Sequence, residues 1–312
     1  MTHLPTSVRT FASIEQLDEL PRELGWPLEY RQIEPGSFSS TFTDVEGDNW
    51  FLMEEQSSRR VEVVAGAPYG MYMLALVEGI PLVINGRSLT ADHIFLQTPG
   101  SDFRATVPAG TKVTQVGIAA ELFGEMIRAV APDLPVPRGE IATFGTEPGR
   151  LASMRWAMRA AILAPSSREA VRDEVASKIV ADMIAAAFDH GQAKIGRDLH
   201  RAAARRVLDR AREYIEANLD ETIRVASMCR YSGTTLTSLQ RIFARELGVS
   251  PQQYVMARRL NAVRRRLLVA EEEAAVRVTD VAQDHGFAHL GRFASHYRRY
   301  FGESPRETLQ SR

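Results

Sequence analysis

Between residues 28 and 118 the apolar positions come in short runs, at 38–43, 50–53, 60–64, 71–77 and 112–118, separated by Gly, Pro, Asn or Asp. Runs of that length with such breaks predict strands. The sharpest turn signal is Asn85-Gly86, between 81–84 and 87–89. Asn-Gly tolerates the two positive φ angles of a type I′ turn, so this segment predicts a hairpin. Gly100, Pro108 and Gly110 punctuate the strands that follow. Many short strands with closely spaced turns predict a sandwich or a small barrel.

After Glu121 the pattern becomes helical. A Pro-rich stretch at 132–137 reads as a rigid loop, and 151–163 and 168–188 read as helices. In the second helix Val175, Ile179 and Met183 recur every four residues, with Val180, Ile184 and Phe188 beside them. Such a wide apolar stripe packs either on the preceding helix or against a second copy of the chain. The second reading is preferred, and it makes Val175, Ile179 and Met183 the expected dimer interface. Gly191 suits a helix end. The chain then divides into an N-terminal domain, 1–190, a linker, 191–204, and a C-terminal domain, 205–312.

Composition narrows the class. The 312 residues, 45% apolar and 25% charged, are those of an ordinary folded protein with room for two cores. No apolar run reaches the roughly 18 residues of a membrane span, and the N-terminus shows no secretory pattern. The single cysteine, Cys229, can form neither an internal disulfide nor a cysteine-built zinc site, which fits a reducing cytoplasm. The net charge of −1 hides an asymmetry: residues 1–199 carry 18 Lys+Arg against 26 Asp+Glu, and residues 200–312 carry 20 Arg against 13 Asp+Glu. The basic half suits an anionic partner, although on charge alone a merely solvated basic face fits equally well.

The basic half also repeats itself. Gly248-Val249-Ser250-Pro251 returns 54 residues later as Gly302-Glu303-Ser304-Pro305, and the same shift carries Leu239, Phe243 and Leu247 onto Phe293, Tyr297 and Phe301. Upstream, 229–233 matches 282–286 at a shift of 53. In each unit a small residue, Cys229 or Ala282, stands four places before a Gly. The small side chain lets a second helix cross closely, and the Gly supplies the tight turn of a helix-turn-helix. Thr235 then opens the second helix of the first unit, which buries Leu239, Ile242 and Phe243. The exposed face holds Thr237, Ser238, Gln240, Arg241 and Arg245, and in the second unit His289, Arg292, Ser295, His296 and Arg299. These side chains can reach base edges or phosphates.

With these motifs, residues 205–308 resemble the DNA-binding domain of AraC/XylS-type transcription regulators. The resemblance rests on 239–243, 246–251, the Arg259-Leu260-Asn261 triplet, Val281-Ala282, Gly286-Phe287, Phe293, Tyr297 and 301–305. It implies two helix-turn-helix units, 223–245 and 278–300, joined by a long helix near Pro251–Leu268, with recognition helices entering successive major grooves. By position, Thr237, Gln240 and Arg241 occupy base-reading places on the first recognition helix, and Gly291, Arg292 and Ser295 on the second. Arg241 is the foremost candidate, since a guanidinium can bond guanine O6 and N7 together; a phosphate contact is its alternative. Cys229 replaces the family's usual alanine, and Gly291 and Ala294 leave the second helix fewer base contacts.

The N-terminal half resembles, in layout more than in motif, the effector-binding and dimerisation portion of the same family, a cupin-like β-barrel followed by helices. Inward residues Phe42, Trp50, Met71, Met73, Leu76 and Phe95 would line an effector pocket, or simply fill the barrel. Arg104 would meet either an anionic effector or a surface carboxylate. His93 is the one histidine between 28 and 118, so no metal and no cofactor are expected. Cys229, at a helix-packing position, is a poor alkyl acceptor, and no phosphate loop or nucleophile motif stands out. The expectation is an α+β, two-domain, cytoplasmic regulator, an activator and not an enzyme. Its expected partners are double-stranded operator DNA, an unidentified small-molecule effector and a second copy of the chain; a contact with RNA polymerase is left open, and no membrane is involved. The alternative is an effector-independent factor whose barrel only dimerises.

Overall fold

The computed structural model describes residues 7–23, 26–66, 70–130, 132, 136–139, 141–163, 169–188, 199–269 and 276–310. The chain begins β1 (Ser7–Phe11), α1 (Ile14–Glu23), β2 (Leu28–Gln32), β3 (Ser40–Glu46), β4 (Trp50–Ser57), β5 (Val61–Gly66) and β6 (Met71–Glu78). There follow β7 (Leu82–Ile84), β8 (Arg87–Leu89), β9 (His93–Gln97), β10 (Asp102–Val107) and β11 (Lys112–Ala119). Next come α2 (Ala120–Val130), β12 (Ile141–Gly145), α3 (Pro148–Leu163) and α4 (Glu169–Phe188). The rest is helical: α5 (Leu199–Glu216), α6 (Val225–Ser232), α7 (Leu236–Leu247), α8 (Pro251–Leu268), α9 (Val278–Asp284), α10 (Leu290–Phe301) and α11 (Pro305–Gln310).

The described strands pair into two antiparallel sheets, β1-β3-β4-β11-β6-β9-β12 and β2-β5-β10-β7-β8, rather than one closed ring. Tyr30, Val63 and Ala65 of the smaller sheet meet Ala75, Val77 and Phe95 of the larger one in a shared apolar interior, the arrangement of a sandwich. The Asn85-Gly86 turn joins β7 to β8, with φ of 48° and 78° and Ile84 opposite Arg87. That is the type I′ hairpin expected from the sequence.

The outer face of the seven-stranded sheet is covered by α2, α3 and α4. Trp50, Leu52, Tyr72, Leu74 and Leu76 form one core with Phe123, Met154, Met158, Ile179 and Met183. This cover corrects the dimer assignment. Ile179 and Met183 are buried within their own chain, and Val175 packs against the same cluster. The stripe packs on the preceding helix and the sheet.

Other differences are local. β12 adds an edge strand beside β9, inside a stretch that reads as helical; five residues are too few to establish a period of two. α1 folds under the small sheet, burying Ile14, Leu17 and Leu20. Of the expected linker 191–204, residues 191–198 lie outside the described residues, and 199–204 already belong to α5. Residues 133–135 of the Pro-rich loop and His190 also lie outside them.

Candidate nucleic-acid interface and internal cavity

The recurring Gly-x-Ser-Pro has a structural cause. Gly248 and Gly302 end α7 and α10 in the left-handed region, at φ 69° and 83°. Ser250 then caps α8: its Oγ accepts from Gln253 N at 3.2 Å, and Gln253 Oε1 accepts from Ser250 N at 2.8 Å. Ser304 and Glu307 repeat this reciprocal cap at α11, at 3.2 and 2.6 Å. Pro251 and Pro305 take the first helical position, where no N–H is needed. The motif therefore ends one helix and starts the next at a fixed angle, twice.

Each recognition helix is seated by its buried face. Leu239, Ile242, Phe243 and Leu247 of α7 pack with Met228 and Cys229 of α6 and with Tyr254. Phe293, Tyr297 and Tyr300 of α10 pack with Ala282, Leu260 and Val263. The long helix α8 contributes to both clusters and so holds the two units in one geometry. Arg259 adds to this, donating to the carbonyls of Leu219 at 3.0 Å and Gly286 at 3.3 Å, and to that of Glu221.

Thr237, Gln240, Arg241 and Arg245 of α7 are exposed, as are His289, Arg292, Ser295, His296 and Arg299 on or beside α10. Ser238 is half-buried, with its N–H donated to the Thr235 hydroxyl that caps α7. Arg245 is engaged with the buried Glu246 carboxylate at 2.5 Å, so it is less free to reach outward than Arg241, which has no ion pair among the described residues. The Ser295 hydroxyl donates to the Gly291 carbonyl at 3.1 Å.

The sequence reading did not find the polar contact between the two halves. Glu62 on β5 is fully buried. It pairs with Arg212 of α5 at 2.5 Å, accepts from Tyr254 Oη of α8 at 2.8 Å, and lies 3.8 Å from Arg31. Burial raises its pKa, but the Arg212 guanidinium and the Tyr254 hydroxyl more than offset this and hold it below the usual carboxylate range. Burial and the Glu62 charge push the Tyr254 hydroxyl upward. Nearby, Asn261 Nδ2 and Tyr300 Oη both donate to the Gln32 carbonyl, at 3.0 and 2.9 Å, and Arg264 binds Glu15 at 2.9 Å. Arg104 lines the cleft beside this contact, together with Asn85, Arg205 and Glu246.

Between the two sheets lies a cavity of about 100 Å³. Of the six pocket candidates, Met73 and Phe95 line it. Trp50 and Leu76 face the helices on the opposite side of the sheet, and Phe42 and Met71 belong to a small cluster with Leu20 and Phe51. Strand parity explains the displacement of Leu76: on β6, Met73, Ala75 and Val77 face inward while Leu74 and Leu76 face out. The lining also includes Tyr30, Glu55, Gln97 and Gln115, polar residues that no sequence motif marks. Tyr30 Oη donates to Glu55 Oε2 at 2.7 Å. Burial pushes the Glu55 carboxyl up to about 7, against the lowering effect of the Tyr30 and Ser57 hydroxyls.

His93 bonds to Thr90 and Asp92, away from the cavity. Among the described residues no group of three His, Cys, Asp or Glu could hold a metal ion, and no helix is long and apolar enough to cross a membrane.

Comparison with known proteins places these features. A family model described as a helix-turn-helix domain matches residues 228–311. The XylDLEGF operon transcriptional activator 3 of Pseudomonas putida is 38% identical over 105 residues, 33% of this chain and 31% of that protein. The probable thc operon regulatory protein of Rhodococcus erythropolis is 38% identical over 99 residues, 32% of this chain and 30% of the relative. The chain thus spans about a third of the length of these curated relatives. A solved structure, a probable AraC family transcriptional regulator from Rhodopseudomonas palustris, is 34% identical over 33% of this chain and 94% of its own, with a TM-score of 0.31.

Proposed function

Because this chain belongs to the AraC/XylS family of transcription regulators, we propose that it is a sequence-specific DNA-binding activator, and not an enzyme, acting on double-stranded operator DNA. The observation that carries this reading is the pair of exposed polar faces on α7 and α10, both seated on α8. Two such faces on one rigid helix suit two major-groove contacts on one side of a duplex. The arginine-rich half supplies the phosphate attraction.

A small molecule in the sandwich cavity controls the DNA-binding half. Support comes from β2 and β5, which separate the cavity from the helices. Tyr30, Val63 and Ala65 line the cavity, while their strand neighbours Arg31 and Glu62 face the contact with Arg212 and Tyr254. A ligand that shifts these strands changes the balance between two placements of the helical half.

Selection of bound fragments from genomic DNA tests the DNA reading, followed by Arg241→Ala on the selected site and on random DNA. The expected outcome is a loss of about 1–3 kcal/mol on the selected site and relaxed preference at one base position. An equal loss on random DNA assigns Arg241 to phosphate, and failure to enrich any fragment overturns sequence-specific binding.

A further inference from the structure

The polar wall of the cavity carries one carboxylate, Glu55, among the described residues that line it. Its hydroxyl donors are turned to protein acceptors, Tyr30 Oη to Glu55 Oε2 at 2.7 Å and Thr111 Oγ1 to the Ile80 carbonyl at 2.9 Å, and Gln97 gives one of its two amide hydrogens to the Ser101 carbonyl at 2.9 Å. Gln115 Nε2 likewise points to Met53 Sδ at 3.2 Å, and Ser57 Oγ to Ser40 Oγ at 3.1 Å. The acceptors are not used up. Beyond the Tyr30 hydroxyl, Glu55 has among the described residues only a long contact of 3.5 Å from Ser57 to its other oxygen, whereas a carboxylate has about four acceptor sites. No Lys, Arg or His is among the described residues that line the cavity.

The rest of the wall is apolar and aromatic. Val63, Met73, Ala75 and Ile84 surround Phe95 and Phe103, whose rings meet edge-on at 5.4 Å. The volume of about 100 Å³ is of the same order as a cavity known to hold a benzene ring. A guest therefore needs a compact hydrocarbon body, and a donor that it brings finds open acceptor sites on Glu55.

Resting on the reading of this cavity as the effector site, we infer that the effector is a small apolar amine whose ammonium group binds Glu55. An ammonium donates three hydrogen bonds and neutralises the one carboxylate on the wall, and the aromatic rings add attraction for the cation. A carboxylate guest would bring a second negative charge into the same enclosure with no cation to balance either. The carboxyl of Glu55, near 7 when the cavity holds no cation, would be drawn fully to its ionised form by the bound ammonium.

Three probes of similar size separate the possibilities: 2-phenylethylamine, phenylacetate and ethylbenzene. Each is titrated into the full chain at pH 8 by calorimetry, with melting temperature as a second reading. The expected result is that the amine binds at least about tenfold more tightly than either other probe. That advantage should be lost in Glu55→Gln, and Ala75→Leu, which fills the cavity, should abolish binding altogether. Binding of phenylacetate or ethylbenzene as tight as that of the amine, or an amine affinity unchanged in Glu55→Gln, overturns the ligand class and leaves the effector reading standing. Binding of none of the three overturns both.

Discussion

Glu55→Gln should stabilise the protein, and by an amount that grows with pH. In the folded chain burial raises the Glu55 carboxyl from its ordinary 4.5 to about 7. Between these values the folded state holds a proton that the unfolded state has released, so stability falls as pH rises through the window. The difference corresponds to about 3 kcal/mol at pH 8, an upper bound because water entering the cavity would soften the penalty. Glutamine keeps the shape and still accepts the Tyr30 hydrogen bond, but has no charge to bury. Below pH 4.5 variant and parent should therefore unfold alike. At pH 8 the variant should be more stable by about 2–3 kcal/mol, which for a domain of this size is about 5–10 °C in melting temperature. Urea unfolding and thermal melts of both proteins at pH 5, 6, 7 and 8 measure the difference, which cancels every other titrating group. A difference flat across that range, or a variant less stable at pH 8, would refute the placement of this carboxylate in a low-dielectric cavity without a cation.

Glu62→Gln removes the buried anion of Arg212 and leaves it only the more exposed Asp209 at 3.3 Å, so it should cost about 3 kcal/mol in urea unfolding; a loss under about 1 kcal/mol would show the contact to be solvated. Ile179→Glu places a charge in the core shared by α4 and the large sheet. It should lower stability by several kcal/mol, about 4, and a folded variant with an unchanged melting temperature and reduced mass by light scattering would return that residue to a dimer interface. DNA affinity should fall steeply as salt rises from roughly 50 to 200 mM; a flat response would contradict phosphate contacts from the arginine-rich half.

The helical half was the more legible because its signals are local. Gly248, Ser250 and Pro251 act within one turn of chain on helix ends, and the small residues Cys229 and Ala282 mark where helices cross. A repeat then doubles each signal. In the N-terminal half Asn85-Gly86 was equally local and equally readable. Strand facing was not. The first half of β4, Trp50–Met53, and β6 from Met71 to Val77 lie in a sheet covered on both sides, so these stretches are apolar at every position and the alternation that would distinguish cavity from outer core is absent there. Trp50 and Leu76 were drawn to the wrong face for that reason, and Met73 and Phe95 to the right one without any signal to separate them.

The same distinction separates what the chain determines alone from what needs the folded whole. Caps, turns, helix-crossing residues and the exposed arginines of α7 and α10 follow from neighbours within a few positions, and they suffice for the helical architecture and for the surface proposed to meet DNA. Partners distant in the chain were decided only by tertiary structure. The stripe at Val175, Ile179 and Met183 is apolar whatever covers it, and only packing assigns it to the chain's own core. Glu55 and Glu62 are two ordinary glutamates in sequence. Folding leaves one in a cavity with no cation, while the other, 192 residues from Tyr254 along the chain, meets it and Arg212 between the two halves. Their chemistry comes from burial and from the charge opposite, and neither is written next to them.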